Sequence, residues 1–81
     1  MIKLNKVIEM LEKIQEQLDE KIEDLIEKQE AIEDKAADYD RDLTAREQDR
    51  YDALQERIDE LEGEKDDIDN ALDYLREYEI Y

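Results

Sequence analysis

The sequence has no cysteine, histidine, proline, serine, phenylalanine or tryptophan, and only one glycine. Without cysteine there is no disulfide and no thiolate nucleophile; without histidine the commonest acid–base group and zinc ligand are gone. The lack of serine removes the nucleophile of hydrolase triads. No apolar run approaches the roughly 18 residues that suggest a membrane span. The N-terminal stretch Met1-Ile2-Lys3-Leu4-Asn5-Lys6 is punctuated by charge and has no apolar core of a secretory signal. These absences predict a soluble, cytoplasmic, non-enzymatic protein that uses no cofactor. With no proline and a single glycine, little in the chain would interrupt a helix.

What is abundant is charge. Of the residues, 49% are charged, with 28 acidic against 12 basic and a net charge of −16. That composition belongs to long helices and coiled coils. A surface of this sign repels nucleic acid and anionic lipid, so direct binding to either is not expected; a protein partner with a basic surface is.

The apolar residues carry the fold. In the C-terminal half, Tyr51, Leu54, Ile58, Leu61, Lys65, Ile68, Leu72 and Leu75 return in strict 3–4 alternation, a coiled-coil seam with one polar interruption. In the N-terminal half Leu4, Val7, Leu11, Ile14 and Leu18 step in heptads, and Ile22, Leu25, Gln29, Ile32, Ala36 and Tyr39 follow. Two successive four-residue steps, Ile14 to Leu18 to Ile22, form a stutter, which predicts local unwinding near residues 18–22. Between the halves, Thr44-Ala45-Arg46-Glu47 is a capping box in which side chain and backbone of Thr44 and Glu47 satisfy each other. The expectation is an all-α, antiparallel two-helix coiled-coil hairpin in one domain, 1–81; one continuous helix is the competing reading, since neither glycine nor proline breaks the chain at the turn. Helix 1 covers about 4–39 with Asn5 a candidate N-cap, the turn about 40–43, and helix 2 about 44–78. Residues facing each other then have numbers summing to about 83. That places Lys65 opposite Leu18, with Asp19, Glu62 or Asp69 as partners for its ammonium, and Gly63 opposite Glu20. Two helices alone bury little, so a homodimeric four-helix bundle or a bound partner is expected to complete the structure.

Three groups of residues are candidates for function. Asp38-x-Asp40-x-Asp42 resembles the start of a calcium-binding loop, but Leu43 stands where that loop needs glycine and Asp49 where it needs a bidentate glutamate. A solvated acidic turn is the better expectation, and no metal is assigned. On helix 2, Asp52, Asp59, Asp66 and Asp73 repeat every seven residues with Glu60 and Asp67 beside them, a stripe with no basic residue in it. Over a helix of about 52 Å, a net charge of −16 is close to the charge density of one nucleic-acid strand. Such a stripe could occupy a basic nucleic-acid channel. At the open end of the hairpin, Met1, Ile8, Met10, Ala71, Tyr74, Tyr78, Ile80 and Tyr81 lie off the seam and form a candidate apolar interface.

The stretch Leu43-Thr44-Ala45-Arg46-Glu47-Gln48-Asp49-Arg50-Tyr51-Asp52-Ala53-Leu54, continuing through Ile58 to Glu62, resembles the N-terminal coiled-coil scaffolding segment of tailed-phage major capsid proteins. The resemblance covers residues 43–62 and implies a phage or mobile-element origin. It does not imply a capsid role, because the sequence ends at Tyr81 without a capsid domain. In size and charge the chain is also similar to small acidic phage inhibitors of host nucleic-acid enzymes, of the anti-CRISPR and anti-restriction types. That likeness implies inhibition by nucleic-acid mimicry; a structural scaffold without inhibitory activity is the alternative.

Overall fold

A computed structural model describes residues 4–79, which form two helices, α1 (Leu4–Asp38) and α2 (Ala45–Glu79), packed against each other as an antiparallel hairpin. The rod measures 59 × 18 × 16 Å. Asn5 lies inside α1 instead of capping it.

The turn is built from two interlocking caps. The amide of Arg41 donates to the carbonyl of Ala36 at 3.1 Å and that of Asp40 to Ala37 at 3.0 Å, while Asp40 takes a positive φ of 50°. This is a Schellman motif, which satisfies the last carbonyls of a helix through one left-handed residue. Three residues later the capping box is in place: the Thr44 amide donates to Glu47 Oε1 at 2.9 Å, and the Glu47 amide to Thr44 Oγ1 at 3.1 Å. Arg41 ties the two caps together by donating from Nη1 to Glu47 Oε1 at 2.6 Å and from Nη2 to Oε2 at 3.3 Å. The guanidinium, followed by the Thr44 amide, holds the Glu47 carboxyl well below the usual carboxylate range, at about 2. A depressed folded-state value means that Glu47 stabilises the hairpin fully above its unfolded value of about 4.3 and ceases to do so as pH falls toward 2. The stability gap between the native chain and Glu47→Gln is therefore open at pH 7 and closes across that acid window in denaturant titrations.

The seam of α2 is as expected. Ile58, Leu61 and Leu72 are buried, and Tyr51, Leu54, Lys65, Ile68 and Leu75 are half-buried. The seam of α1 differs from its expected course. Its inward positions are Leu4, Ile8, Leu11, Gln15, Leu18, Ile22, Leu25, Gln29, Ile32 and Ala36, an unbroken 3–4 alternation with no stutter. Ile8 is 5% exposed and Ile14 41%. Once Leu18 and Ile22 are seated with Ile58 and Leu61 in one cluster, a regular helix brings position 15 to the interface and turns 14 aside. Gln15 is accommodated because its amide donates to the Asp69 carboxylate. Hydrophobicity alone suggests a stutter, but the continuity of a regular helix removes it. Tyr39, expected at the end of the seam, is exposed, with Arg41 over its ring at 5.6 Å.

Cross-helix partners fall within a residue of the predicted register: Gln29 with Gln55 at 3.0 Å, and Lys65 Nζ with Asp19 Oδ1 at 2.5 Å. Lys65 thus snorkels from the seam to a carboxylate, which raises its pKa. A β-carbon added to Gly63 would meet nothing within 4 Å. Helical alanine is favoured over glycine by about 1 kcal/mol. Gly63→Ala is therefore expected to raise the unfolding free energy by that amount, seen as a higher urea midpoint with an unchanged slope.

Candidate functional site

The hairpin has two long edges where α1 and α2 meet, one on which acids meet polar and basic partners across the helices and one on which cations gather. Along the first edge, Gln15 meets Asp69, Asp19 meets Lys65, and Glu12 lies 4.0 Å from Arg76. Near the turn, the neighbouring Glu33 carboxylate raises the pKa of the Tyr51 hydroxyl. Asp52 and Asp59 flank this edge, accepting from Gln48 at 2.9 Å and Gln55 at 3.0 Å. Asp66 and Asp73 continue the seven-residue repeat and are exposed. Among the described residues none of these four carboxylates forms an ion pair. Each hydrogen-bonded pair is an i, i+4 contact, so a glutamine positions the carboxylate without neutralising it.

Glu60 and Asp67 do not share that edge. Arg57 Nη1 donates to Glu60 Oε2 at 2.9 Å, and one residue beyond Asp59 or Asp66 is a turn of about 100° around the helix. The expected six-residue stripe is therefore two rows about 100° apart on α2, and a basic residue reaches the second row. Adjacency in sequence does not put these carboxylates in one row, because each residue turns about 100° around the helix from the last.

The opposite edge carries a feature that the sequence reading missed. Lys28, Lys35, Arg46 and Arg50 line one groove of about 400 Å³ floored by Ala31 and Ile32. Farther from the turn, Lys21 and Arg57 face each other over Leu25 and Leu61. The signal was available: Lys21, Lys28 and Lys35 are seven apart, as are Arg50 and Arg57. Only antiparallel folding, however, brings the two short series to one edge.

At the open end, Met10, Tyr74 and Tyr78 are exposed, and Ala71 is half-buried. Tyr74 and Tyr78 pack edge to face with ring centroids 5.2 Å apart, and their hydroxyls are 3.0 Å apart. That hydrogen bond raises the Tyr78 pKa. Ile8, expected here, is spent in the seam, and Ile14 takes its place on the surface. Tyr81, with Met1 and Ile80, lies outside the described residues.

Comparison with family models, curated proteins and solved structures returns no match to this chain. No family is assigned by likeness. The site has to be judged on its own chemistry. Asp38, Asp40 and Asp42 fold as a helix C-cap and its exit, and among the described residues no three acidic side chains are grouped to hold a metal ion. No helix among those residues is long and apolar enough to cross a membrane.

Proposed function

We propose that the protein works by binding and not by catalysis, presenting the edge marked by Asp52, Asp59, Asp66 and Asp73 to a basic surface on a partner protein. The observation that carries this reading is the row of carboxylates at seven-residue intervals with no cation paired to any of them among the described residues. A row used only for solubility would gain from interspersed cations, because like charges along a helix cost a few tenths of a kcal/mol per pair. Positions seven apart rise about 10.5 Å, so the row offers a straight line of negative charge along a rod 59 Å long. A straight anionic edge fits a channel that otherwise holds a nucleic-acid strand. On this reading the protein is an inhibitor by nucleic-acid mimicry; the resemblance of residues 43–62 to phage capsid scaffolding segments implies a phage or mobile-element origin and action in the host cytoplasm. Glu60 and Asp67 belong to the other flank and are left out of the contact.

The test is capture of partners on the immobilised hairpin, native or carrying Asp59→Lys/Asp66→Lys. Retention that falls steeply between about 0.1 and 0.5 M salt and is lost in the variant is the expected result, because contacts made by rows of charge are screened over about 10 Å at 0.1 M. Retention indifferent to both contradicts the reading.

A second reading is favoured by Met10, Ile14, Tyr74 and Tyr78, large apolar side chains exposed together at one end. Assembly through that end, as a four-helix bundle of two copies or with a protein partner, would make the hairpin a scaffold. Tyr74→Ala/Tyr78→Ala would then halve the mass found by light scattering; an unchanged monomer mass in both proteins removes the dimer.

A further inference from the structure

Half of the chain's 12 basic residues stand on one edge of an otherwise acidic rod. From α1 come Lys21, Lys28 and Lys35; from α2 come Arg46, Arg50 and Arg57. Cations facing cations across a helix pair repel and weaken it. Opposite-sign pairs were available in a chain with 28 acidic residues, so hairpin stability does not account for the arrangement. Nor are these charges satisfied internally: among the described residues only Arg57 has a carboxylate partner, Glu60 on its own helix. Two acids line the groove: Glu47 near the turn, which is held by Arg41 and the Thr44 amide, and Asp24 in the continuation with Lys21 and Arg57.

We propose that this edge is the docking site for an acidic amphipathic helix of a partner protein, laid along the groove as a third helix. The floor supplies apolar contact from Ala31 and Ile32, continued by the half-buried Leu25 over the buried Leu61. The lysine row and the arginine row are its two rims. A helix with an apolar stripe flanked by carboxylates every seven residues meets both rims at the rims' own spacing of about 10.5 Å. A nucleic-acid strand fits less well: its charges recur about every 3.4 Å, and it offers no aliphatic stripe to the floor. A second copy of the chain brings its own net charge of −16. The site is independent of the acidic edge proposed above, since it uses other residues on the opposite side of the rod.

The experiment is fluorescence anisotropy with a labelled synthetic helical peptide of three heptads, carrying a leucine stripe flanked by glutamates. Its controls are a twin with lysines at the flanks and a labelled single-stranded oligonucleotide. The protein is full-length, either native, Lys28→Glu/Lys35→Glu, or the milder Arg46→Gln/Arg50→Gln, each first checked for native helicity by circular dichroism. All four positions are exposed, so the milder variant keeps the test valid if the charge reversal disturbs the fold. Saturable binding of the glutamate peptide that weakens about tenfold or more in either variant, with no such loss for the lysine twin, is expected. The proposal is overturned if the glutamate peptide fails to saturate or binds all three proteins alike. It is overturned equally if only the oligonucleotide shows the variant-dependent loss, which makes the groove a phosphate site. A native protein that sediments as a dimer, dissociated by the same variants, would make the occupant a second copy and overturn it too.

Discussion

Leu72→Ala is expected to take away a large share of the hairpin's stability, lowering its urea midpoint more than any surface change, and Leu61→Ala to come close. These two side chains are 1% and 2% exposed, the most completely buried in the structure. Truncating a leucine in such a place costs about 2–5 kcal/mol, the upper part of the range applying where neighbours cannot collapse into the space. Here the core is a single layer between two helices, with no second layer to move in. A chain of 81 residues has little stability to lose, since such domains hold on the order of 5–10 kcal/mol. Far-UV circular dichroism with urea titration measures the loss. Tyr74→Ala, at a side chain 60% exposed, is the control, expected to shift stability by no more than about 0.5 kcal/mol. Equal losses at Leu72 and Tyr74 would mean that the seam is not where the structure places it.

Gln29→Leu is expected to act in the opposite direction. Gln29 is 6% exposed, the buried polar residue of the core, and its amide donates to Gln55 Oε1 at 3.0 Å and to the Tyr51 carbonyl at 3.4 Å. A neutral hydrogen bond contributes about 0.5–1.5 kcal/mol net, whereas burying a leucine side chain contributes about 1.5–3 kcal/mol. The partners left behind are not stranded, because Gln55 is exposed and still donates to Asp59. A gain of about 1–2 kcal/mol should follow. The native glutamine then has another use: a polar pair at one level of a repeating seam penalises every register but its own. The stabilised variant is therefore expected to lose uniqueness, showing a mixed mass distribution in size-exclusion light scattering where the native chain gives one species. A variant that is both more stable and equally homogeneous would assign register to the turn alone.

That contrast also explains which parts of the molecule were legible in the sequence. The turn was legible because Thr44-x-x-Glu47 is local chemistry, with donors and acceptors three residues apart. The α2 seam was legible because its apolar residues are the interface residues. The N-terminal part of α1 was not, since hydrophobicity selects Ile14 and Val7 whereas the rigid period of the helix, anchored at Leu18 and Ile22, selects Gln15 and Ile8. Gln15 is tolerated only because Asp69 comes to it from the other helix, and no local pattern announces a partner so distant in the chain. The charged surfaces failed to show for the same reason. Asp59 and Glu60 are neighbours in sequence but lie on different flanks, while Lys35 and Arg50 are distant in sequence but line one groove. Charge along the chain gave the sign of the molecule; only the pairing of the helices gave its two edges.

The acidic edge is tested most directly by competition. A partner retained on the native hairpin at low salt, and not on Asp59→Lys/Asp66→Lys, is loaded with its labelled nucleic acid and titrated with hairpin while anisotropy is followed. The native protein is expected to release the nucleic acid to completion, and the variant to leave it bound. A complex in which hairpin and nucleic acid sit on the partner together, with anisotropy rising instead of falling, would contradict it.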